Sequence, residues 1–158
     1  MTTIASSSTV TKPLVSAFRP LQEALAPYAD LMVRAAAGLF LMPHGAQKLF
    51  GLFGGYGVAA TGQFFESKLG LPAHMALIAG LIEFFGGLAL ATGFATRIAA
   101  GFVTGMMAVA VLTVHLHNGF FWTDLGYEYP LRRGILSFPY VIRGGGRTSI
   151  DALIGWEI

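Results

Sequence analysis

Three long apolar runs, at residues 31–50, 73–94 and 98–114, dominate the pattern of this chain. A helix needs about 20 mostly apolar residues to cross a bilayer, so each run predicts a spanning helix. The second carries one charge, Glu83, and the third has none before His115 closes it. A fourth run, 129–142, is shorter and holds Arg132, Arg133 and Pro139. Parity favours a fourth crossing there, with a re-entrant or tilted interfacial segment as the alternative. Ahead of the first run, "RPLQEALAPYAD" predicts a short amphipathic turn or helix at the interface, ending near Pro27. Residues 1–19 read as a Ser/Thr-rich mobile tail without the apolar core of a cleavable signal peptide, so the first spanning helix is expected to direct insertion. Beyond the fourth run, "RGGGR" reads as a hinge. "TSIDALIGWEI" places Ile150, Leu153 and Ile154 on one helical side for surface attachment, with Trp156 at the headgroup level. The pattern therefore predicts an all-α fold: an integral membrane four-helix bundle with short interfacial segments at both ends. Its parts are a tail and interfacial segment (1–27), the membrane domain (28–146) and a C-terminal surface tail (147–158).

Composition reinforces this. Of the 158 residues, 54% are hydrophobic and 11% charged, against roughly a quarter charged in soluble domains. The 10 basic and 8 acidic residues are scattered, which is no nucleic-acid footprint. There is no cysteine, which excludes thiol relays, iron–sulfur clusters and thiolate metal sites as intrinsic chemistry. No carboxylate–histidine cluster has metal-ligand spacing on one helix, so no metal site is expected. The glycines of "GLFGGYG" follow a membrane helix rather than a strand and do not make a dinucleotide fingerprint. The positive-inside bias is slight and favours both termini in the cytoplasm.

Polar groups inside apolar runs carry the functional signal. Loops one (51–72) and three (116–128) must emerge on one side, because two crossings separate them. With about 1.5 Å of rise per residue, Lys48 and His115 lie roughly 12 Å from the midplane towards that side and His44 about 6 Å. Glu83 falls near the middle and Arg34 roughly 9 Å towards the other face. These depths allow one polar column: His115 and Lys48, then His44, then Glu83, with Arg34 as a further partner below. The column opens towards Glu128 and Tyr129. Charges at the bilayer centre are costly and usually face the bundle interior with partners. The same residues have plainer readings. Lys48 can snorkel, His115 and His117 can be interfacial, Glu83 can pair structurally with Arg34, and His44 can satisfy a carbonyl freed by Pro43. Haem held between His44 and His115 is disfavoured by their roughly 6 Å difference in depth. Gly80 and Gly87 share the Glu83 face, and Gly101 and Gly105 form a small-xxx-small pattern expected to serve helix packing.

Several stretches together resemble the DoxX family of small four-helix membrane proteins: "PHGAQKLFG", "FGGYG", "GQFF", "GLIEFFGGLALATGFATR", "HLHNGFF" and "GYEYP". The resemblance covers roughly residues 31–151. The family is associated with a terminal quinol oxidase and related to the membrane subunit of thiosulfate:quinone oxidoreductases; other members look like partners in oxidative-stress complexes. Its recurring polar positions fall here on His44, Gln47, Lys48, Glu83, His115, Asn118, Glu128 and Tyr129. The resemblance implies an inner-membrane, multi-pass, quinone-interacting subunit of an oxidoreductase, with Glu83 and His44 as the catalytic candidates and the other positions, with His44, as ligand-binding ones. It implies a partner subunit or a homo-oligomer as well as the lipid bilayer. The alternative is a non-catalytic scaffold that recruits a redox or oxidative-stress enzyme through its aromatic third loop. The helix-four arginines depart from the family's plain apolar run. They raise the expectation that Arg132 or Arg133 joins the polar cluster or meets a partner.

Overall fold

A computed structural model describes residues 16–156, and among these there is no strand. The N-terminal tail of residues 1–15 lies outside the described residues. The first rod consists of α1 (Arg19–Leu39) and α2 (Met42–Phe50). The second runs from His74 to Thr92 as α4 (His74–Leu81), a π-helical turn (Ile82–Gly86) and α5 (Gly87–Thr92). The third begins with α6 (Thr96–Ala110) and ends through a π-helical turn (Val111–His115) and a 3-10 turn (Leu116–Asn118). Between the first two rods lies α3 (Gly57–Phe64), which continues as a third π-helical turn (Phe65–Leu69). The fourth rod is α7 (Glu128–Arg143), and a short α8 (Ile150–Ile154) follows.

Three rods are long and apolar enough to cross a membrane: Arg19–Phe50, His74–Thr92 and Thr96–Asn118. Helix α7 starts and ends within one residue of the run read from sequence, but at 16 residues it is too short for that class. It nonetheless packs along α6, with Gly134 against Met107 at mid-height and the Arg97 guanidinium bonded to the Val141 and Ile142 carbonyls near the far end.

The first rod departs from expectation twice. It does not stop near Pro27, which lies inside α1. Proline there forfeits one backbone bond, and the strong helix formers on both sides, "LQEALA" and "LMVRAAA", carry the helix past it. The interruption comes instead at Phe40 and Leu41. Pro43 then sits in the first turn of α2, where a missing N–H costs nothing. The His44 N–H turns to the Leu41 carbonyl, which releases the Phe40 carbonyl for another donor.

The first two rods meet through glycines. A Cβ on Gly38 would lie 2.2 Å from the Gly87 oxygen, and one on Gly45 would lie 2.4 Å from the Phe84 nitrogen. Only glycine permits that approach, which maximises dispersion contact where lipid removes the hydrophobic drive between helices. Gly101 and Gly105 correct the packing expectation: nothing lies within 4 Å of either Cβ position. They leave space rather than fill it. The bundle core is small, built on Leu41, Val103 and Met107 in one cluster and Leu90, Ala99, Ala100 and Tyr140 in another.

Arg34 is not a partner of Glu83. It is fully buried at the end of the bundle remote from loops one and three. There it donates to the carbonyls of Leu90 and Ala91 at 2.9 Å and of Thr148 at 3.1 Å. "RGGGR" is correspondingly not an open hinge. Gly144 and Gly145 are buried, and the chain folds back so that Ser149 and Asp151 reach the turn between the second and third rods. Beyond that anchor, Leu153, Ile154 and Trp156 are exposed.

Candidate functional site

The polar groups read from sequence divide into three neighbouring sets near one end and the middle of the bundle. The first is an ion pair. Lys48 Nζ donates to Glu83 Oε2 at 2.6 Å, and Glu83 is only 7% exposed. Glu83 lies on the π-helical turn of the second rod, where one extra residue per turn re-aims a side chain. The facing Gly45 lets the first rod close on that turn. Lys48 is thus no snorkelling lysine: its stem runs along the bundle and its ammonium meets the carboxylate.

The second set joins the first rod to α7. Arg133 Nη2 donates to the released Phe40 carbonyl at 2.9 Å and to the Tyr129 hydroxyl at 2.9 Å, and its guanidinium lies 4.3 Å from the Tyr129 ring centre. Arg133, not His44, therefore satisfies the carbonyl that the Pro43 break frees. The His44 ring packs at 6.0 Å, tilted, against the same tyrosine. Of the two arginines, Arg133 enters the cluster. Arg132 is largely exposed and lies 3.9 Å from Glu128.

The third set closes loop three. His115 Nδ1 and the Leu125 carbonyl are 2.6 Å apart. A carbonyl only accepts, so Nδ1 carries the proton, and in the neutral ring Nε2 is left as an acceptor. Asn118 donates to the same carbonyl at 3.3 Å. Glu128 accepts from the Trp122 N–H at 3.3 Å. Gln47 stands apart: its amide donates to the Phe53 carbonyl and fixes the turn after α2.

What sequence reasoning missed is the space these groups border. A cavity of about 680 Å³ lies between the second and third rods under the loop-one helix. Lys48 and Glu83 form its floor, and His115, His117 and Asn118 stand at its mouth. Gly101 and Gly105 line one wall, and residues from all three π-helical turns line the rest. Its walls include exposed Ile78, Phe102 and Val109, so it opens on the outer face of the bundle. Residues of loops one and three both border it, so the two loops share an end. The one signal available in the sequence was the Gly101/Gly105 pair, which looks like a packing motif until its neighbours are known.

The DoxX family matches residues 29–116, more than half of the chain. This protein belongs to the DoxX family. It is 36% identical over 90 residues to a Bacillus subtilis (strain 168) protein named "Putative oxidoreductase CatD", a match covering 57% of this chain and 62% of that protein. It is 34% identical over 101 residues to the Escherichia coli (strain K12) protein named "Inner membrane protein YqjF", covering 62% of this chain and 75% of that one. No solved structure matches it. The family match takes in His44, Gln47, Lys48, Glu83 and His115. Asn118, Glu128, Tyr129 and Arg133 lie beyond it, brought to the site by loop three and α7.

Proposed function

We propose that this DoxX membrane protein is the quinone-interacting subunit of a membrane oxidoreductase, its electrons coming from a partner protein. One observation carries the reading: a lipid-facing apolar cavity has at its floor a part-buried lysine bonded to a buried carboxylate. Its volume falls within the 300–1,000 Å³ usual for small-ligand sites. An ammonium has three donors, and Glu83 engages one, which leaves Lys48 able to donate to a ring carbonyl. A quinone, when bound, supplies two-electron, two-proton carrier chemistry. Glu83 holds Lys48 in place and offers a proton acceptor at the floor. His115 Nε2 at the mouth serves exchange with the loop-side water. In the same reading α7 is the fourth crossing, both termini are cytoplasmic, and the membrane is the bacterial inner membrane. Labelling of single cysteines placed in each loop tests that topology.

The decisive experiment is titration of the purified protein in mild detergent with a short-chain ubiquinone analogue, followed by tryptophan quenching. K48A and E83Q should each weaken binding at least tenfold. K48A removes the donor and leaves Glu83 buried without its partner; E83Q keeps an acceptor for Lys48 but removes the charge that holds it and the proton acceptor at the floor. Absence of binding by the wild-type protein refutes the reading.

One feature favours a second role, as a scaffold for a redox or oxidative-stress enzyme. Phe53, Tyr56, Phe121, Trp122 and Leu125 are all exposed on loops one and three, and Leu125 also borders the cavity. On that reading, loop-three substitutions abolish recovery of a co-purifying partner and E83Q does not.

A further inference from the structure

We infer that the cavity selects a quinone headgroup bearing negative charge, and that Arg133 sets this selectivity. The inference rests on the quinone reading above. Its basis is a surplus of charge at one height in the bundle. Gly45 faces Phe84, Gly86 faces Val103, and Gly134 faces Met107. These contacts put His44 of the first rod, Glu83 of the second and Arg133 of the fourth at one level, midway along the second and fourth rods. Lys48 reaches into the same layer from one turn above.

Two formal positive charges and one negative share that layer. Lys48 and Glu83 are bonded to each other. Among the described residues no carboxylate is bonded to Arg133; its partners are the Phe40 carbonyl, the Tyr129 hydroxyl and the Tyr129 ring. Glu128, the nearest acid on its own helix, faces Arg132 and the Trp122 N–H instead. A charge at mid-bundle is expensive, and such residues usually find a partner or serve a ligand. Bonding the Phe40 carbonyl does not explain the charge, since a neutral amide can donate there equally well. In a poorly screened interior the field of an unbalanced guanidinium extends well beyond contact distance. Glu83, which is part of the cavity floor, feels both Lys48 and Arg133. Arg133 does not itself line the cavity; its charge acts from the same layer through the Lys48–Glu83 floor, and that surplus biases the cavity towards an anion.

Two probes of nearly equal shape test this: 2-hydroxy-1,4-naphthoquinone, ionised at neutral pH, and neutral 1,4-naphthoquinone. Each is titrated into the full-length protein in detergent at low salt. The wild-type protein should bind the ionised probe at least tenfold more tightly. R133Q keeps a donor for the Phe40 carbonyl; it should cut the preference below twofold and leave affinity for the neutral probe within about threefold. R133K should retain most of the preference, and R132Q should leave it intact. Equal wild-type affinity for the two probes overturns the inference and needs no variant to fold, as does a preference that survives in R133Q. If neither probe binds, the quinone reading itself falls and takes this inference with it.

Discussion

Asp151→Ala is expected to be among the most destabilising single changes outside the membrane rods. The third rod has no local cap: at its start Ala95 adopts φ 45°, and its side chain bonds nothing. Asp151 supplies the missing acceptor from 55 residues downstream of Thr96. Its carboxylate accepts from the Ala95 N–H at 2.7 Å, the Thr96 N–H at 2.9 Å and the Thr96 hydroxyl at 2.6 Å. Its own N–H donates to the Gly93 carbonyl at 2.9 Å. Removing a helix cap costs about 1–2 kcal/mol, and buried donors left without partners add about 1–3 kcal/mol. These contributions overlap, so D151A should lose about 3 kcal/mol, and D151N, which keeps one acceptor, about half of that. The pH dependence has a definite sign. Burial alone would push the Asp151 carboxyl up, but the Thr96 hydroxyl, the Thr96 and Ala95 N–H groups and the charge of Arg34 outweigh it and hold the carboxyl below the usual range. A depressed folded value means the contribution is complete above the unfolded carboxylate pKa, about 3.9. It is lost as pH falls through the folded value. Denaturant titration in detergent, followed by circular dichroism at pH 7 and at a series of lower values, reads both effects. The reasoning is refuted if D151A loses less than about 0.5 kcal/mol, or if the gap between wild type and D151N fails to narrow on acidification.

R34K should cost about 2–3 kcal/mol despite keeping the charge, because a single ammonium cannot span the Leu90, Ala91 and Thr148 carbonyls that the planar fork bridges; proteolysis of the C-terminal segment should accelerate in parallel. G105L places a side chain where no atom lies within 4 Å, so stability should change by less than about 1 kcal/mol. Affinity for a long-tailed quinone should fall at least fivefold while a tail-less probe binds as before, and equal titration curves for G105L and wild type would show that this wall is not part of the ligand path.

The rods were legible because their lengths follow from one local quantity, the run of apolar residues that a bilayer-crossing helix requires. The ends of α7 fell within a residue of expectation for the same reason. The helix α3 was missed because "GVAATGQF" sits in a glycine-rich connection that reads as loop. The site was legible as a demand and not as a pairing. Depth arithmetic treated side chains as points on straight helices, so it set Lys48 well away from Glu83 and left Arg34 as a candidate partner. A lysine stem spans about one helical turn, and that reach closes the gap to Glu83 at 2.6 Å. Arg34 had a different customer: carbonyls of the second rod and of a C-terminal segment 114 residues away in sequence.

The same logic separates the two glycine pairs. Gly80 and Gly87, like Gly101 and Gly105, read from the sequence as packing positions, yet a Cβ on Gly80 would strike Leu49 at 2.8 Å and one on Gly105 would meet nothing within 4 Å. A local pattern fixes where a backbone or a charge needs something. What meets that need comes from a distant part of the chain, as Asp151 does for Ala95, or from outside the chain altogether. Arg133 belongs with the open wall at Gly105 in this respect. Each is a place where the chain does not complete its own packing or charge balance; Gly105 lines the cavity whose floor is Lys48 and Glu83, and Arg133 shares the layer of that floor. A bundle built only for stability would fill such a wall with a larger side chain and neutralise such a charge. Leaving both is an arrangement that makes physical sense when a ligand supplies the missing volume and the missing anion together.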